Sequence, residues 1–296
     1  MLARFIADSG CDIPSLKREV SSIKLLPLFM SINGSPYYEN VNITLDKISP
    51  DSLALISEPV IPKQVYLEAI LDAQRDGCSD IFIITPDKHL FGLYKEASKA
   101  ASLYLRKKTS AGTKVHVIDS GTFSIGYGVP LASVVLDYEA GKLKTTDEIK
   151  KALSKRLSEA VMFCKSSFGC RVFKKLLLAQ KAEFSPCAEA FVMYKGTCER
   201  LTELPEEENK RKMNKVLKTL HKNEYISFFT LNSRRTAEKE LDKLFLNLSD
   251  LLAKVDIVTS RRAKLGISAA YIAGDELRLM LLIPARNFEL IDEVAL

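Results

Sequence analysis

The sequence predicts a two-domain α/β protein, with an N-terminal parallel-sheet domain over residues 1–160 and a C-terminal α+β domain over 161–296 whose sheet is mainly antiparallel. Three observations carry this. A chain of 296 residues, 47% hydrophobic, is long for one core and rich enough in apolar residues for two. Its first half alternates short apolar runs with helical patterns, the signature of a parallel sheet. Beyond residue 160 strands and helices lose that strict alternation, which suits an antiparallel sheet.

In chain order, Phe5-Ile6-Ala7 reads as a strand ending in the polar turn Asp8-Ser9-Gly10. Ser49-Pro50 opens a helix, since Ser caps and Pro fits the first helical position. Pro62 opens the next, with Tyr66, Ala69, Ile70 and Ala73 on its buried stripe. Ile81-Phe82-Ile83-Ile84 is a continuous apolar run of buried-strand type, and Val115-His116-Val117-Ile118 is expected beside it as a second buried parallel strand. Between them a helix is expected from about Leu90 to Leu105, with Ala97, Ala100 and Ala101 for close packing, and another from about Phe123. Gly126-Tyr127-Gly128 falls inside the latter and reads as helix packing. Thr145 and Glu148 form a capping box that starts a helix running towards Ala160.

In the second half, Val161-Met162-Phe163, Phe191 to Tyr194, Tyr225 to Leu231, Asp256 to Thr259 and Leu277 to Ile283 read as strands, with Lys195-Gly196 as a turn. Glu206 to Lys222 reads as an exposed helix, and the leucines from Leu241 to Leu252 have helical spacing. No internal repeat and no low-complexity segment appears.

Composition narrows the function classes. The net charge is +6, but acidic residues are interspersed with basic ones, unlike the concentrated basic face of a nucleic-acid binder. The clusters Arg106-Lys107-Lys108 and Lys210-Arg211-Lys212 read as solvated helix faces. No segment approaches a membrane span, and the N-terminus is too polar for a signal peptide. Six scattered cysteines without a CxxC pair point to reduced thiols and a cytoplasmic location. Three widely spaced histidines show no metal-ligand spacing. GxxxxGK[ST], an N-terminal GxGxxG and GxSxG are all absent, so no cofactor and no catalytic residue is expected.

Ligands of open parallel sheets sit beyond the carboxyl ends of the strands. Here those ends are Asp8-Ser9-Gly10, Thr85-Pro86-Asp87 and Asp119-Ser120-Gly121. These side chains either cap the helices that follow or help bind an anion, and the residues themselves leave both open.

The stretch Phe5-Ile6-Ala7-Asp8-Ser9-Gly10-Cys11-Asp12-Ile13-Pro14 resembles the opening of the DegV family, with Ala7 in place of the usual Thr. The likeness continues at Leu26-Pro27-Leu28, at Ile32-Asn33-Gly34 with Tyr38, at Leu90-Phe91-Gly92-Leu93-Tyr94 with Ala97 and Ala100, and at Val117-Ile118-Asp119-Ser120 with Ser124, Gly126 and Gly128. It is good over the first half of the chain and weak over the second. The resemblance implies a cytoplasmic bacterial carrier, not an enzyme, that encloses a long-chain fatty acid or similar lipid and presents its head group to a partner, a fatty-acid kinase in better-known members. It implies ligand contacts at Ser9, Ile61, Phe91, Gly92, Leu93, Ser120 and Arg171, and partner contacts at Lys210, Arg211 and Lys212. Neither a nucleic-acid partner nor a membrane span is implied.

Departures fall on the head-group positions. Where relatives have the hydroxyl loop T-S-Q-P, this chain has Ser57-Glu58-Pro59-Val60-Ile61-Pro62. Phe91 and Leu93 replace the Ser and Thr of L-S-G-T-Y, Gly169-Cys170-Arg171 stands for G-G-R, and Lys264-Leu265-Gly266-Ile267-Ser268 stands for H-x-G-P-G. A second reading is therefore an interaction module that has lost its ligand. A third, an enzyme on the related fold of dihydroxyacetone kinases, lacks the nucleotide and Mg²⁺ sites that chemistry needs.

Overall fold

The computed structural model describes residues 1–13, 20–106, 112–166, 189–195, 197–200, 220, 223–231, 255–273 and 278–288. The first strand, β1 (Ala3–Asp8), runs into a 3-10 turn at Ser9–Cys11. It is followed by β2 (Ile23–Leu26) and by a hairpin of β3 (Phe29–Ile32) and β4 (Ser35–Tyr38) turning at Asn33-Gly34. Helix α1 (Pro50–Leu53) starts as expected, with the Ser49 hydroxyl accepting from the Ser52 N–H and Pro50 at its head. Helix α2 (Lys63–Arg75) begins directly after Pro62 and buries Tyr66, Ala69, Ile70 and Ala73.

Strand β5 (Asp80–Thr85), helix α3 (Leu93–Leu105), strand β6 (Lys114–Asp119), and helices α4 (Ile125–Glu139) and α5 (Thr146–Glu159) complete the first half. The strands form one parallel sheet in the order β2-β1-β5-β6. Strand β5 is buried on both faces. Ile81 and Ile83 enter the cluster that holds residues of α2 and α3, and Phe82 and Ile84 the cluster that holds residues of α4 and α5. Strand β6 corrects one expectation. It pairs with β5 in parallel, but it is the sheet edge, and Val115 to Ile118 are only half-buried. An edge strand has one neighbour, and an apolar run in the sequence carries no mark of that position.

Helix boundaries shift for local backbone reasons. Helix α3 starts at Leu93, not Leu90, because Phe91 and Gly92 both take left-handed φ values, 57° and 63°. Helix α4 starts at Ile125 because Ser124 has φ 52°. The α5 capping box is complete, with the Thr145 hydroxyl and the Glu148 carboxylate each accepting a backbone N–H from the other residue.

Immediately after Ala160 the chain enters a second sheet. Its strands are β7 (Val161–Ser166), β8 (Glu189–Tyr194), β9 (Thr197–Arg200), β10 (Glu224–Leu231), β11 (Asp256–Lys264) and β12 (Arg278–Pro284), in the order β11-β10-β12-β7-β8-β9. All pairs are antiparallel except β10 with β11. Helix α6 (Ile267–Ala273) lies between β11 and β12. The sequence-predicted helices over 206–222 and 241–252 lie outside the described residues, apart from Leu220, which is buried. One apolar cluster is continuous across both sheets, from Ile6, Ile81 and Ile83 to Met162, Phe191, Phe228 and Leu281.

Candidate functional site

The carboxyl ends of β1 and β4 place three acidic side chains in the interior, and hydrogen bonds from three segments, at residues 9–10, 124–127 and 266–268, hold them. Asp8 caps the Ser9–Cys11 turn by accepting from the Gly10 N–H at 3.0 Å. Tyr127, from the first turn of α4, donates its hydroxyl to both Asp8 oxygens, at 2.8 and 2.9 Å. Glu39, just beyond β4, accepts from the Ser9 hydroxyl at 2.7 Å, the Ser268 N–H at 2.8 Å and the Ser268 hydroxyl at 3.1 Å. Asp12 accepts from the Ser124 hydroxyl and the Gly266 N–H. Gly266 leaves room for the two carboxylates: a Cβ there would stand 2.6 Å from Asp12 Oδ1 and 2.7 Å from Glu39 Oε1, so one of them would have to move.

Burial dominates the electrostatics of this cluster. It pushes the Asp8 carboxyl up to about 7, against the Tyr127 hydrogen bond and with help from the Glu39 charge. Asp12 rises well above the usual carboxylate range for the same reasons, burial first and the Glu39 charge second. Glu39 is raised by burial, opposed by its bonds from Ser268 and Ser9. The Cys11 thiol is likewise pushed up by burial and then by the charges of Asp8 and Asp12. Among the described residues no group of His, Cys, Asp and Glu has the arrangement to hold a metal ion.

The second loop runs from β5 to α3. Asp87 accepts from the His89 N–H and pairs with its ring nitrogen, both at 2.8 Å. The left-handed turn at Phe91 and Gly92 follows. Phe91 is buried, its ring 6.0 Å from that of Tyr271 on α6, while Gly92 is exposed and Leu93 buried. The third loop closes on itself. The Ser120 hydroxyl donates to the Thr122 carbonyl and accepts from the Thr122 N–H, both at 3.3 Å, and Asp119 accepts from the N–H groups of Gly121 and Lys88. Ser120 borders a cleft of about 750 Å³ with Asp87, His89, His116, Lys150 and Lys195.

Of the residues singled out by sequence, Ile61, Phe91 and Leu93 come together in the apolar cluster that crosses both sheets. Ser9 lies buried in the acidic network with its hydroxyl already committed to Glu39 and, as acceptor, to the Leu28 N–H at 3.0 Å. Ser120 stands apart in the polar cleft. Arg171, Lys210, Arg211 and Lys212 lie outside the described residues. Sequence reasoning missed Asp12, Glu39, Tyr127 and Ser268 as one network. Glu39 is one of 37 acidic residues, and its partner Ser268 is 229 positions away, so no spacing could reveal it.

The chain thus combines a parallel α/β sheet with a mostly antiparallel one, a buried acidic network and an apolar cluster shared by both sheets. The chain belongs to the DegV family, whose sequence profile ("Uncharacterised protein, DegV family") it matches over residues 4–164. A DegV domain-containing protein of Staphylococcus aureus (strain COL) is 28% identical over 150 residues, 49% of this chain and 50% of that protein. The chain thus spans about half the length of the curated relatives it matches.

Solved structures share the fold over nearly the whole chain. The fatty-acid-binding DegV family protein of Thermus thermophilus superposes with a TM-score of 0.72 at 15% identity, covering 96% of this chain and 100% of that one. A stearic-acid-binding protein of Eubacterium ventriosum gives 0.72 at 18%, covering 97% and 99%. The Streptococcus pneumoniae fatty acid kinase B3 protein, loaded with linoleic acid, gives 0.67 at 18%, covering 96% and 100%.

Proposed function

We propose that this chain is a lipid carrier that encloses a long-chain acyl ligand and presents its head group at the carboxyl ends of β1 and β5. The observation that carries the reading is the single apolar cluster that passes from the parallel sheet through Ile61, Phe91 and Leu93 into the six-stranded sheet. An acyl chain gains about 0.8 kcal/mol per buried CH₂, so an apolar path is enough for affinity. Fold neighbours described as fatty-acid binders support the same reading. We also propose a division into domains at residue 160, where the chain changes sheets, and a partner kinase of the kind named for the pneumococcal neighbour, met through Lys210, Arg211 and Lys212. In this reading the chain is a carrier in the cytoplasm and the partner supplies the chemistry. Among the described residues no helix is long and apolar enough to cross a membrane.

Native protein extracted with organic solvent and analysed by mass spectrometry should yield a long-chain lipid in near-stoichiometric amount. Lipid-free extracts would favour the second reading, an interaction module without a ligand. That alternative draws its support from Ser9 and Ser120, whose hydroxyls are satisfied within the protein.

A further inference from the structure

A groove of about 630 Å³ runs along α3 and reaches the first residue of α2. Its walls carry four cations, Lys63 at the head of α2 and Lys95, Lys99 and Arg106 along α3 and its C-terminal cap. Among the described residues no carboxylate lines it. Lys95, Lys99, Ser102 and Arg106 follow at spacings of three and four, so they form one stripe on one helix face. The opposite face, with Leu93, Ala97, Ala100 and Tyr104, is buried in the apolar cluster that crosses both sheets. The sequence reads Arg106 as part of a solvated helix face, yet in the fold its neighbours in space are more cations and a concave surface.

The charge of the groove is only partly met from within. Glu96 pairs with Lys99 at 2.6 Å, accepts the Lys63 N–H and is attracted to the Lys63 ammonium. Four cations less this one carboxylate leave a net charge of +3. Lys95 and Arg106 are exposed and make no ion pair among the described residues. The geometry narrows what could meet that charge. Tyr94 to Arg106 covers about 18 Å of helix at 1.5 Å per residue, so no single phosphate or carboxylate spans the stripe. The groove is concave, and a flat bilayer surface would touch its rims and leave its floor open. Leu103, 37% exposed, and the half-buried Tyr94 line it as well, and a phosphodiester backbone has nothing apolar to lay on them. Acidic and apolar side chains together, on an element as long as the groove, describe one face of an amphipathic helix.

We propose that this groove docks an acidic amphipathic helix of a partner protein, whose carboxylates meet Lys95, Lys99 and Arg106 and whose apolar side chains seat against Leu103 and Tyr94. The proposal stands independently of the lipid-carrier reading. The test uses the full-length chain at low salt and a fluorescent helical peptide of about five turns, with four glutamates at spacings of three and four beside a leucine stripe. The same peptide with glutamine for glutamate, anionic phosphatidylglycerol vesicles and a DNA duplex are measured alongside it.

The glutamate peptide should bind at least tenfold tighter than its glutamine counterpart. The double charge reversal Lys95→Glu with Arg106→Glu should weaken it roughly tenfold, as two exposed contacts turned from attraction to repulsion would. Neither residue has an ion pair to lose, so the urea midpoint should stay where it is. Lys151→Glu with Lys155→Glu, two exposed lysines of α5 that change the net charge equally, should leave the peptide's affinity unchanged. A peptide with lysine for glutamate should prefer the Lys95→Glu, Arg106→Glu protein over the parent. Equal binding of the glutamate and glutamine peptides, or equal loss in the α3 and α5 variants, overturns the docking site. Vesicle or duplex binding that exceeds peptide binding and falls only in the α3 variant overturns the protein partner and makes the stripe a lipid or nucleic-acid surface.

Discussion

At Gly128 the backbone of α4 meets the turn that follows β1. A Cβ there would stand 1.9 Å from the Cys11 carbonyl oxygen and 3.1 Å from the Ile13 nitrogen, both main-chain atoms that no side-chain rotation can move. Gly128→Ala should destabilise the protein by about 1–3 kcal/mol, the usual cost of overpacking, read as a lower urea midpoint at unchanged slope. An unchanged midpoint would mean that the helix and turn separate more easily than their contact suggests. The sequence reading of Gly126-Tyr127-Gly128 as helix packing was correct for the glycines and blind to Tyr127, whose partner Asp8 lies 119 positions away. Phe91 was equally opaque. A phenylalanine at φ 57° is strained, at roughly 1–3 kcal/mol, and what holds it there is burial against Tyr271 of α6, a contact between the two halves of the chain.

At the scale of single elements, local chemistry was legible and neighbourhood was not. The capping box of α5 and the Ser49-Pro50 start of α1 need only adjacent residues, and both occur as the sequence suggests. Thr145→Ala should cost about 1 kcal/mol, the typical worth of an N-cap hydroxyl, visible as a lower thermal midpoint. Thr145→Asp should restore most of it, because Asp also accepts the Glu148 N–H and suits the helix dipole. If both variants lose equally, the cap contributes through something other than its hydrogen bond. By contrast, the edge position of β6 and the parallel pairing of β10 with β11 depend on which strands become neighbours. An apolar run fixes a strand and its burial tendency, whereas sheet order follows from contacts spread over the whole chain.

At the scale of the whole molecule, the acidic network joins segments at residues 8–12, 39, 124–127 and 266–268, so its charge state bears on how the two sheets stay together. Asp8 has a folded pKa of about 7 against an ordinary value of 3.8, and Asp12 and Glu39 are raised with it. The folded state therefore binds more protons than the unfolded chain between about pH 4 and 7. The stabilisation is fully present below the unfolded carboxylate range and is lost as pH rises through the folded values. At 1.36 kcal/mol per pKa unit the change is on the order of a few kcal/mol, shared among coupled groups.

Asp72, Glu96 and Glu148 act oppositely. Hydrogen bonds hold their pKa values below the ordinary ones, so their stabilisation is present above about pH 4 and lost in stronger acid, a separate window. Urea unfolding should therefore show stability falling from pH 5 to pH 8. Asp8→Asn, which can still accept from Tyr127 and Gly10, should flatten that slope and leave the protein more stable than the parent at pH 8. A parent at least as stable at pH 8 as at pH 5 would mean that solvent or a residue outside the described set relieves the buried charges. The acidic network would then be a set of ordinary ionised caps and not a proton-holding joint between the sheets.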